Sequence, residues 1–299
     1  MTGMNLAEST NIENRSEMKV EEKYIDLHLH TTASDGSLEA QEVVAKAEEL
    51  GFSAIAITDH DTIDGIQAAL ERAENFSLEV VPGIEINTDY RNTEVHVLGY
   101  YIDYENKVLL NKLKELEEAR YLRAEKIVHK LSDLGLEIDF DEVVNLADGS
   151  VVGRSHIAQI ILEEGYLQEW NQVFEQYIGC QAPAYVERAS LDVQGAINLI
   201  KEVNGIPIIA HPGLIGDDQA LEELIALGAE GIEVYHTDHS KEEEEKYLEF
   251  ANRNDLLITG GSDCHGPKRK SGLLLGRVEV PYLRLRELKQ FYKEEMIKC

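Results

Sequence analysis

The sequence predicts an α/β fold, a closed or nearly closed βα barrel that carries an inserted helical subdomain. Apolar, β-branched segments recur along the 299 residues, and most of them alternate with helical patterns. Strands that alternate with helices indicate a parallel sheet, and this many units favours closure into a barrel. The alternation breaks between about residues 101 and 186, where helical patterns follow one another.

The predicted strands carry the barrel in chain order: YIDLHLH, AIAITDH, LEVVPGIEI, EVHVLGYYI, GIPIIAHPG, GIEVYH and LLITGGSDCH. Between the first two lies an amphipathic helical segment, with Ser37 as the expected N-cap and Gly51 as its stop. The segments DGIQAALERAENF, LDVQGAINLIKEVNG and DDQALEELIALGAEG repeat this pattern.

The break in the alternation begins with a long helical pattern, in which Leu109, Leu113, Leu116, Ile127, Leu131 and Leu134 share one face. Shorter helices are expected at RSHIAQIILEEG and QEWNQVFEQYIG, before the chain returns at APAYVER. We therefore expect a polar tail over 1–22, a barrel domain over 23–100 and 186–290, a helical insertion over 101–185 and a C-terminal tail over 291–299.

The composition sets the expected surroundings. No apolar run approaches the roughly 18 residues that span a bilayer, the first residues lack the apolar core of a signal peptide, and the three cysteines are scattered. We expect a cytoplasmic protein without membrane contact. The net charge of −29 repels long duplex nucleic acid, whereas a small anion can bind where cations reverse the field locally. The charge also has a simpler explanation, which is solubility.

Histidines and carboxylates collect at the ends of the predicted strands. In a parallel βα barrel these ends meet on one face, where active sites lie. His28 and His30 are two residues apart and therefore point to one side of their strand, as do Asp263 and His265. The other members of the set are Asp59, His60, Asp61, Glu85, His96, His211 and His236.

Taken singly, each of these residues has an ordinary structural explanation. A strand-end histidine can be satisfied by hydrogen bonds, and Asp59 and Asp61 can cap a helix. Together they would form a dense and poorly solvated cluster, which cations resolve because neutral imidazole and carboxylate are metal ligands. The set exceeds what one ion can use, so more than one metal is expected. Without an inward thiolate, Mn²⁺, Fe²⁺ or Zn²⁺ fits best.

The ordered motifs DLHLHTTASDGSLE, AITDHDT, GIEI, EVHVLGY, AHPG and GSDCHG resemble the PHP (polymerase and histidinol phosphatase) superfamily, over residues from about 23 to 290. Asp35 after the histidine pair, the insertion after HVLGYYID, and the later GRSHIA and PAYV are similar to one branch of it. That branch contains metal-dependent nucleotide phosphoesterases, namely 3′,5′-nucleoside bisphosphate phosphatases and 5′-to-3′ exoribonucleases that act on short RNA.

The resemblance implies a distorted, TIM-like barrel with three divalent metal ions per chain. By motif, the first ion would take His28, His30, Glu85 and Asp263, and Glu85 would bridge to a second ion that also takes His96 and His211. Asp35, His60 and His265 would hold the third. The ions would activate water and neutralise the phosphate oxygens.

Further residues are candidates for substrate contact and catalysis. Arg154 and His156 are expected to clamp a phosphate, the alternative being a helix N-terminus capped by Ser155. His236 either protonates the leaving oxygen or supports a neighbour, and Asp263 counts as catalytic as well as metal-binding. Lys268 and Arg269 follow the last metal motif and either attract an anionic substrate or form a solvated loop.

The leading hypothesis is hydrolysis of the 3′-phosphate of a nucleoside 3′,5′-bisphosphate to give the 5′-monophosphate. The alternatives are a 5′-to-3′ exoribonuclease on short RNA, a histidinol-phosphate phosphatase, and a non-catalytic metal-bound module. The expected partner is a small phosphorylated nucleotide or a short oligonucleotide, and the oligomeric state stays open.

Overall fold

A mixed sheet forms the centre of the protein in the computed structural model, which describes residues 24–91, 93–147, 152–187, 190–268 and 272–298. The polar tail expected over 1–22 lies outside these ranges. The strands are β1 (Tyr24–Asp26), β2 (Ala54–Ile57), β3 (Glu79–Tyr90), β4 (Thr93–Tyr100), β5 (Leu191–Asp192), β6 (Ile206–Ile209), β7 (Gly231–His236), β8 (Leu257–Gly261) and β9 (Val280–Pro281).

The sheet curls until its two sides nearly meet. Its strands lie in the order β8-β7-β6-β4-β3-β2-β1-β9, with β5 beside β3. The Leu27 N–H donates to the Gly260 carbonyl at 3.1 Å, and a parallel bridge joins Leu29 to Cys264. These contacts connect the first strand region to the last parallel one, so the predicted α/β barrel is confirmed.

Strand β4 runs opposite to both neighbours, so the expected all-parallel sheet was wrong at this position. β3 ends at Tyr90 and β4 begins at Thr93, and β4 is antiparallel to β6 as well. A parallel pair needs a crossover of a dozen or more residues, which this connection is too short to supply. The early part of β4, including His96, therefore lies at the edge where the parallel strands end.

Helices surround the sheet, and none of those described is long and apolar enough to cross a membrane. They are α1 (Ala40–Glu49), α2 (Asp64–Ala73), α3 (Lys107–Asp133), α4 (Phe140–Ala147), α5 (Arg154–Glu163), α6 (Trp170–Val173), α7 (Val193–Glu202), α8 (Pro212–Ile215), α9 (Asp218–Ala226), α10 (Lys241–Arg253) and α11 (Tyr282–Lys298). A π-helical turn over Phe174–Ile178 continues α6.

The first helix ends as predicted but begins later. Gly51 follows α1 in the left-handed region at φ +80°, as a glycine stop should. Glu39, not Ser37, occupies the N-cap. The Ser37 hydroxyl instead donates to the His265 carbonyl at 3.0 Å, because the loop before α1 packs against the last strand-end motif.

The two faces of the sheet carry separate apolar clusters. Alternate residues divide between them, so that Ile55 packs with the flanking helices and Ala56 faces the other way. On that second face, Leu285 and Leu288 of α11 are buried against strand side chains. Each such leucine contributes about 1.5–3 kcal/mol through burial. The residues after 291, expected to form a tail, continue this helix to Lys298.

Helix α3 connects the barrel to the helices that follow it. Leu109 and Leu113 in its first half belong to the cluster between sheet and helices. Ile127 and Leu131 in its second half pack in a third cluster, which includes residues of α4 and α5. Leu134 was expected on the same face but is exposed, because α3 ends at Asp133.

Candidate metal centre

The residues predicted as metal ligands meet at the edge where the parallel strands end. They come from the loops after β1, β2, β6 and β8 and from within β3 and β4. The structure brings all of them together: His28, His30, Asp35, His60, Glu85, His96, His211, Asp263 and His265.

Glu85 lies at the centre of this group, fully buried in β3. Both of its carboxylate oxygens approach imidazole nitrogens. Oε2 is 3.2 Å from His28 Nε2, 3.2 Å from His30 Nε2 and 3.0 Å from His60 Nδ1, while Oε1 is 2.8 Å from His96 Nδ1 and 3.2 Å from His211 Nε2. One side chain thus contacts five imidazoles, two from the loop after β1 and one each from the loop after β2, from β4 and from the loop after β6.

Asp263 and Asp35 provide the other two carboxylates. Asp263 Oδ1 lies 2.9 Å from His30 Nε2 and 3.6 Å from His28 Nε2. Asp35 Oδ1 lies 3.1 Å from His265 Nε2 and 4.0 Å from His60 Nε2. His30 stacks on His265 with ring centroids 4.1 Å apart, so the Asp35 and Asp263 groups adjoin each other.

The two aspartates beside His60 hold the surrounding loops. Asp59 accepts hydrogen bonds from the Thr31 N–H at 2.7 Å and the Ser34 hydroxyl at 2.5 Å. Asp61 accepts from Asn87 and forms an ion pair with Arg120 of α3. The helix-cap explanation was wrong for both, because Ile63 occupies the N-cap of α2.

Glu233 belongs to the site although the sequence patterns did not single it out. It is fully buried in β7, its Oε1 lies 3.0 Å from His28 Nδ1, and its Oε2 accepts from the His211 N–H at 2.9 Å. Asp26 is similarly buried and accepts from the Ser262 N–H at 2.9 Å. The available signal was a carboxylate inside an apolar strand, in GIEVY and in YIDL.

The crowding of charges shifts the pKa values strongly. Burial lowers the pKa of His30, but the carboxylates of Asp263 and Glu85 outweigh it and bring this pKa to about 10. Burial likewise lowers the pKa of His96, and Glu85 brings it to about 9. Burial raises the pKa of Asp35, and the neighbouring imidazoles bring it below its usual range. The carboxylates therefore stabilise the charged forms of His30 and His96, whereas burial holds the pKa of His60 well below its usual value.

The imidazole nitrogens and carboxylate oxygens around Glu85 are suited to bind divalent cations. Among the residues that the structure describes, His28 Nε2, His30 Nε2, His60 Nδ1 and Glu85 Oε2 are buried and have no hydrogen-bond partner of suitable geometry. Unsatisfied buried polar atoms are rare and call for an explanation such as an ion. Two ligands bound to one ion at about 2.1 Å and at right angles would be about 3 Å apart, close to the separations around Glu85.

His236 lies at the inner wall of this centre, beside Asp263. Its ring is buried, and Nδ1 accepts a hydrogen bond from the Asp238 N–H at 3.1 Å. In the neutral ring the proton is therefore on Nε2, which faces Asp263 Oδ2 at 3.8 Å. A proton is thus held at an atom that points toward the centre.

The residues predicted to contact substrate differ in their placement. Arg154 begins α5, with its guanidinium carbon 5.8 Å from the centre of the Phe174 ring. His156 Nδ1 accepts from the Gly153 N–H at 3.1 Å, so Gly153 rather than Ser155 occupies the N-cap. Burial lowers the pKa of His156, and the Asp35 carboxylate opposes that shift.

The predicted basic loop after the last motif is described only in part. Lys268 is exposed, and its backbone N–H donates to the Ser37 hydroxyl at 3.3 Å. Arg269 lies outside the described residues.

Known enzymes are similar to this chain in sequence. The chain is 33% identical to a 5′-3′ exoribonuclease of Haemophilus influenzae over 82% of this chain and 91% of that protein. It is 30% identical to a 3′,5′-nucleoside bisphosphate phosphatase of Chromobacterium violaceum over 81% and 87%, respectively. It is 31% identical to a phosphoribosyl 1,2-cyclic phosphate 1,2-diphosphodiesterase of Eggerthella lenta over 81% and 94%.

A crystal structure from Bifidobacterium adolescentis, of a protein assigned as a metal-dependent phosphoesterase, superimposes with a TM-score of 0.79 and 30% identity. The alignment covers 89% of this chain and 95% of that one. Fold and site together define a metal-dependent hydrolase of phosphoric esters. The PHP domain family matches residues 26–200, more than half of the chain, and the chain belongs to that family.

Proposed function

We propose that this protein hydrolyses a phosphate ester of a small nucleotide, most simply the 3′-phosphate of a nucleoside 3′,5′-bisphosphate, to give the 5′-monophosphate. The observation that carries the proposal is the convergence of imidazoles on Glu85, where several nitrogen and oxygen atoms suited to bind metal are buried without a hydrogen-bond partner. Similarity to a nucleoside bisphosphate phosphatase over four-fifths of the chain supports the nucleotide substrate.

The proposal includes three divalent cations per chain, of Mn²⁺, Fe²⁺ or Zn²⁺. His28, His30 and Asp263 would hold the first with Glu85, and His96 and His211 the second, again with Glu85. Asp35, His60 and His265 would hold the third. Bound divalent cations lower the pKa of water to about 7 and neutralise phosphate oxygens.

The remaining side chains bind the substrate and manage its proton. His236, whose neutral ring holds a proton on Nε2 beside Asp263, would donate that proton to the leaving ribose oxygen. Arg154 offers a planar pair of donors for the phosphate at the other end of the substrate. His156 accepts a backbone N–H at Nδ1, so its Nε2 is also a donor.

The preference for a small substrate is supported by the surface charge. A net charge of −29 disfavours long duplex nucleic acid, whereas the cations and Arg154 reverse the field locally. A cytoplasmic setting is part of the proposal, since Cys180 and Cys264 are free thiols.

A second candidate function is 5′-to-3′ cleavage of short RNA, favoured by the similarity to the Haemophilus influenzae exoribonuclease. It needs the same cations and the same attack on phosphorus. In both, water attacks phosphorus and the ribose 3′-oxygen of the released nucleoside 5′-monophosphate is the leaving oxygen. The two functions differ only in what else is esterified to that phosphorus, which is nothing in one case and the rest of an RNA chain in the other.

The test is a substrate panel with purified protein and Mn²⁺. Nucleoside 3′,5′-bisphosphates, an RNA pentamer, histidinol phosphate and a phosphoribosyl cyclic phosphate are compared by kcat/KM. The leading proposal requires phosphate release from the bisphosphate to be fastest, and a faster release of mononucleotides from RNA would favour the second. Turnover of only the last two substrates, or of none, would reject both.

A matched pair of variants assigns the activity to this site. Asp263→Asn removes a proposed ligand and is expected to reduce kcat/KM by at least about 100-fold. Asp133→Asn changes an exposed carboxylate at the end of α3 and should leave kcat/KM within about twofold. Equal activity of the two variants would contradict the proposed centre.

A further inference from the structure

The carboxylate of Glu233 is buried where a hydrophobic side chain would be more stable. It lies in β7 between Ile232 and Val234, and it is fully inaccessible to solvent. Burying a carboxylate costs several kcal/mol, and replacing buried ionic groups by hydrophobic ones is often neutral or stabilising. Its presence in this strand therefore calls for a role other than stability.

Glu233 contacts two of the proposed ligands away from the side that faces the centre. Its Oε1 and Oε2 lie 3.0 and 3.2 Å from His28 Nδ1, and Oε2 also accepts the backbone N–H of His211 at 2.9 Å. Because an ionised carboxylate only accepts hydrogen bonds, His28 Nδ1 must be the donor. The proton is then on Nδ1, and Nε2 keeps the lone pair that a cation needs.

The other ends of these two residues approach opposite oxygens of Glu85. His28 Nε2 lies 3.2 Å from Glu85 Oε2, and His211 Nε2 lies 3.2 Å from Glu85 Oε1. His211 also has a backbone φ of +24°, an unfavourable conformation for a residue other than glycine. The bond from its N–H to Glu233 helps to hold that conformation. A closed ring of contacts therefore runs through Glu233, His28, Glu85 and His211.

We propose that Glu233 is a positioning residue that sets the ligand atoms of two cation positions at once. It fixes the tautomer of His28 for the first position and the backbone of His211 for the second. This inference rests on the proposed metal centre. Glu233 is not assigned as a catalytic residue, because it contacts Nδ1 of His28, whereas Nε2 of that ring faces Glu85.

The test is Mn²⁺ titration of protein stripped of metal with a chelator, followed by calorimetry. In Glu233→Gln the side chain keeps its size but has one acceptor oxygen, and its amide N–H₂ opposes the His28 Nδ1–H. Loss of such a supporting partner typically reduces metal affinity 10- to 100-fold. We expect about that loss in Glu233→Gln, with the number of ions bound at saturation unchanged.

The control is Glu230→Gln, three residues earlier, where the carboxylate is partly exposed and paired with Lys201. This variant should bind Mn²⁺ as the wild type does. The metal-free proteins are compared by circular dichroism and thermal unfolding, which separates a folding defect from a change in affinity. In Zn²⁺-loaded protein, the imidazole ¹⁵N spectrum reports the tautomer of His28 directly.

The outcomes are separable. Wild-type protein that binds no divalent cation would reject the proposed centre itself. If the wild type binds and Glu233→Gln binds with equal affinity, only the positioning role is rejected. Loss of one bound ion at saturation would also reject it, because Glu233 would then be a ligand, with His28 and His236, of a further cation. Reduced affinity at full stoichiometry with a changed His28 spectrum supports it.

Discussion

Glu85→Gln tests the proposed centre at its most connected point. The substitution preserves the volume of the side chain and removes its charge. Five imidazole nitrogens lie within 3.2 Å of the two oxygens, and the side chain is buried. An amide has one acceptor oxygen and a donor nitrogen, so it cannot bridge two cations and it repels the imidazole donors.

The magnitude follows from this sharing. A hydrogen bond to a charged group contributes about 1.5–3 kcal/mol, but contributions that share two oxygens do not add. Breaking a buried charge pair costs about 3–5 kcal/mol, which is the expected loss of unfolding free energy in metal-free Glu85→Gln. Removing the hydrogen-bond partner of a metal ligand typically lowers the affinity for the metal 10- to 100-fold. As a shared ligand, Glu85 should account for more than about 100-fold, or about 2.8 kcal/mol.

The assay is Mn²⁺ calorimetry on stripped protein, with bisphosphate hydrolysis and thermal unfolding measured in parallel. Glu79→Gln is the matched control, since that carboxylate lies six residues earlier in β3, pairs with Lys289 and has a side chain that is 35% exposed. Exposed pairs contribute about 0–1 kcal/mol, so this variant should behave as the wild type. Wild-type affinity and stoichiometry in Glu85→Gln would refute the reasoning.

Four further predictions concern stability and metal binding. The pKa of His30 is raised from 6.5 to about 10, so protonation of His30 stabilises the metal-free fold. This stabilisation is complete below pH 6.5 and is lost as the pH rises toward 10. The melting temperature of the metal-free protein should therefore fall over that pH range. Mn²⁺ binding at pH 7.5 should release protons, detectable by calorimetry in two buffers. Arg120→Gln removes the ion pair with the buried Asp61 and should cost about 3–5 kcal/mol of unfolding free energy by denaturant titration. Gly261→Ala places a Cβ 2.4 Å from His28 Cβ and should cost at least about 1–3 kcal/mol in the same titration.

Much of the ligand set was predictable because strand periodicity is local. Two histidines separated by one residue share a face, and the ends of parallel strands meet at one edge. These rules predicted that His28, His30 and Asp263 lie close together, as the structure shows. His96 lies at the same edge of the sheet for another reason. Strand β4 is antiparallel to β3, so its first residues lie at the edge where the parallel strands end.

Other features depended on partners far along the chain. Glu233 pairs with His28, which lies 205 positions earlier in the chain. A glutamate inside an apolar strand does not by itself show which residue it will contact. Ser37 satisfied the rule for an N-cap, but its hydroxyl found the His265 carbonyl instead. In both cases tertiary contact outweighed the local signal, which sequence rules describe only as a preference.

The scaffold separates the chemistry from the choice of substrate. The proposed ligands come from barrel strands and the loops that directly follow them, whereas Arg154 and His156 come from α5, packed against the far half of α3. The Asp61–Arg120 ion pair joins α3 to the loop that carries His60, so the insertion is anchored beside the centre. Relatives of about 30% identity are named for an exoribonuclease, a bisphosphate phosphatase and a cyclic phosphate diesterase. If the metal centre performs one reaction on all of these esters, the residues that select among them must lie outside it. Helix α5 contributes no proposed ligand, so exchanging α5 between relatives, with α3 and its Arg120 kept, should transfer preference while leaving Mn²⁺ affinity intact.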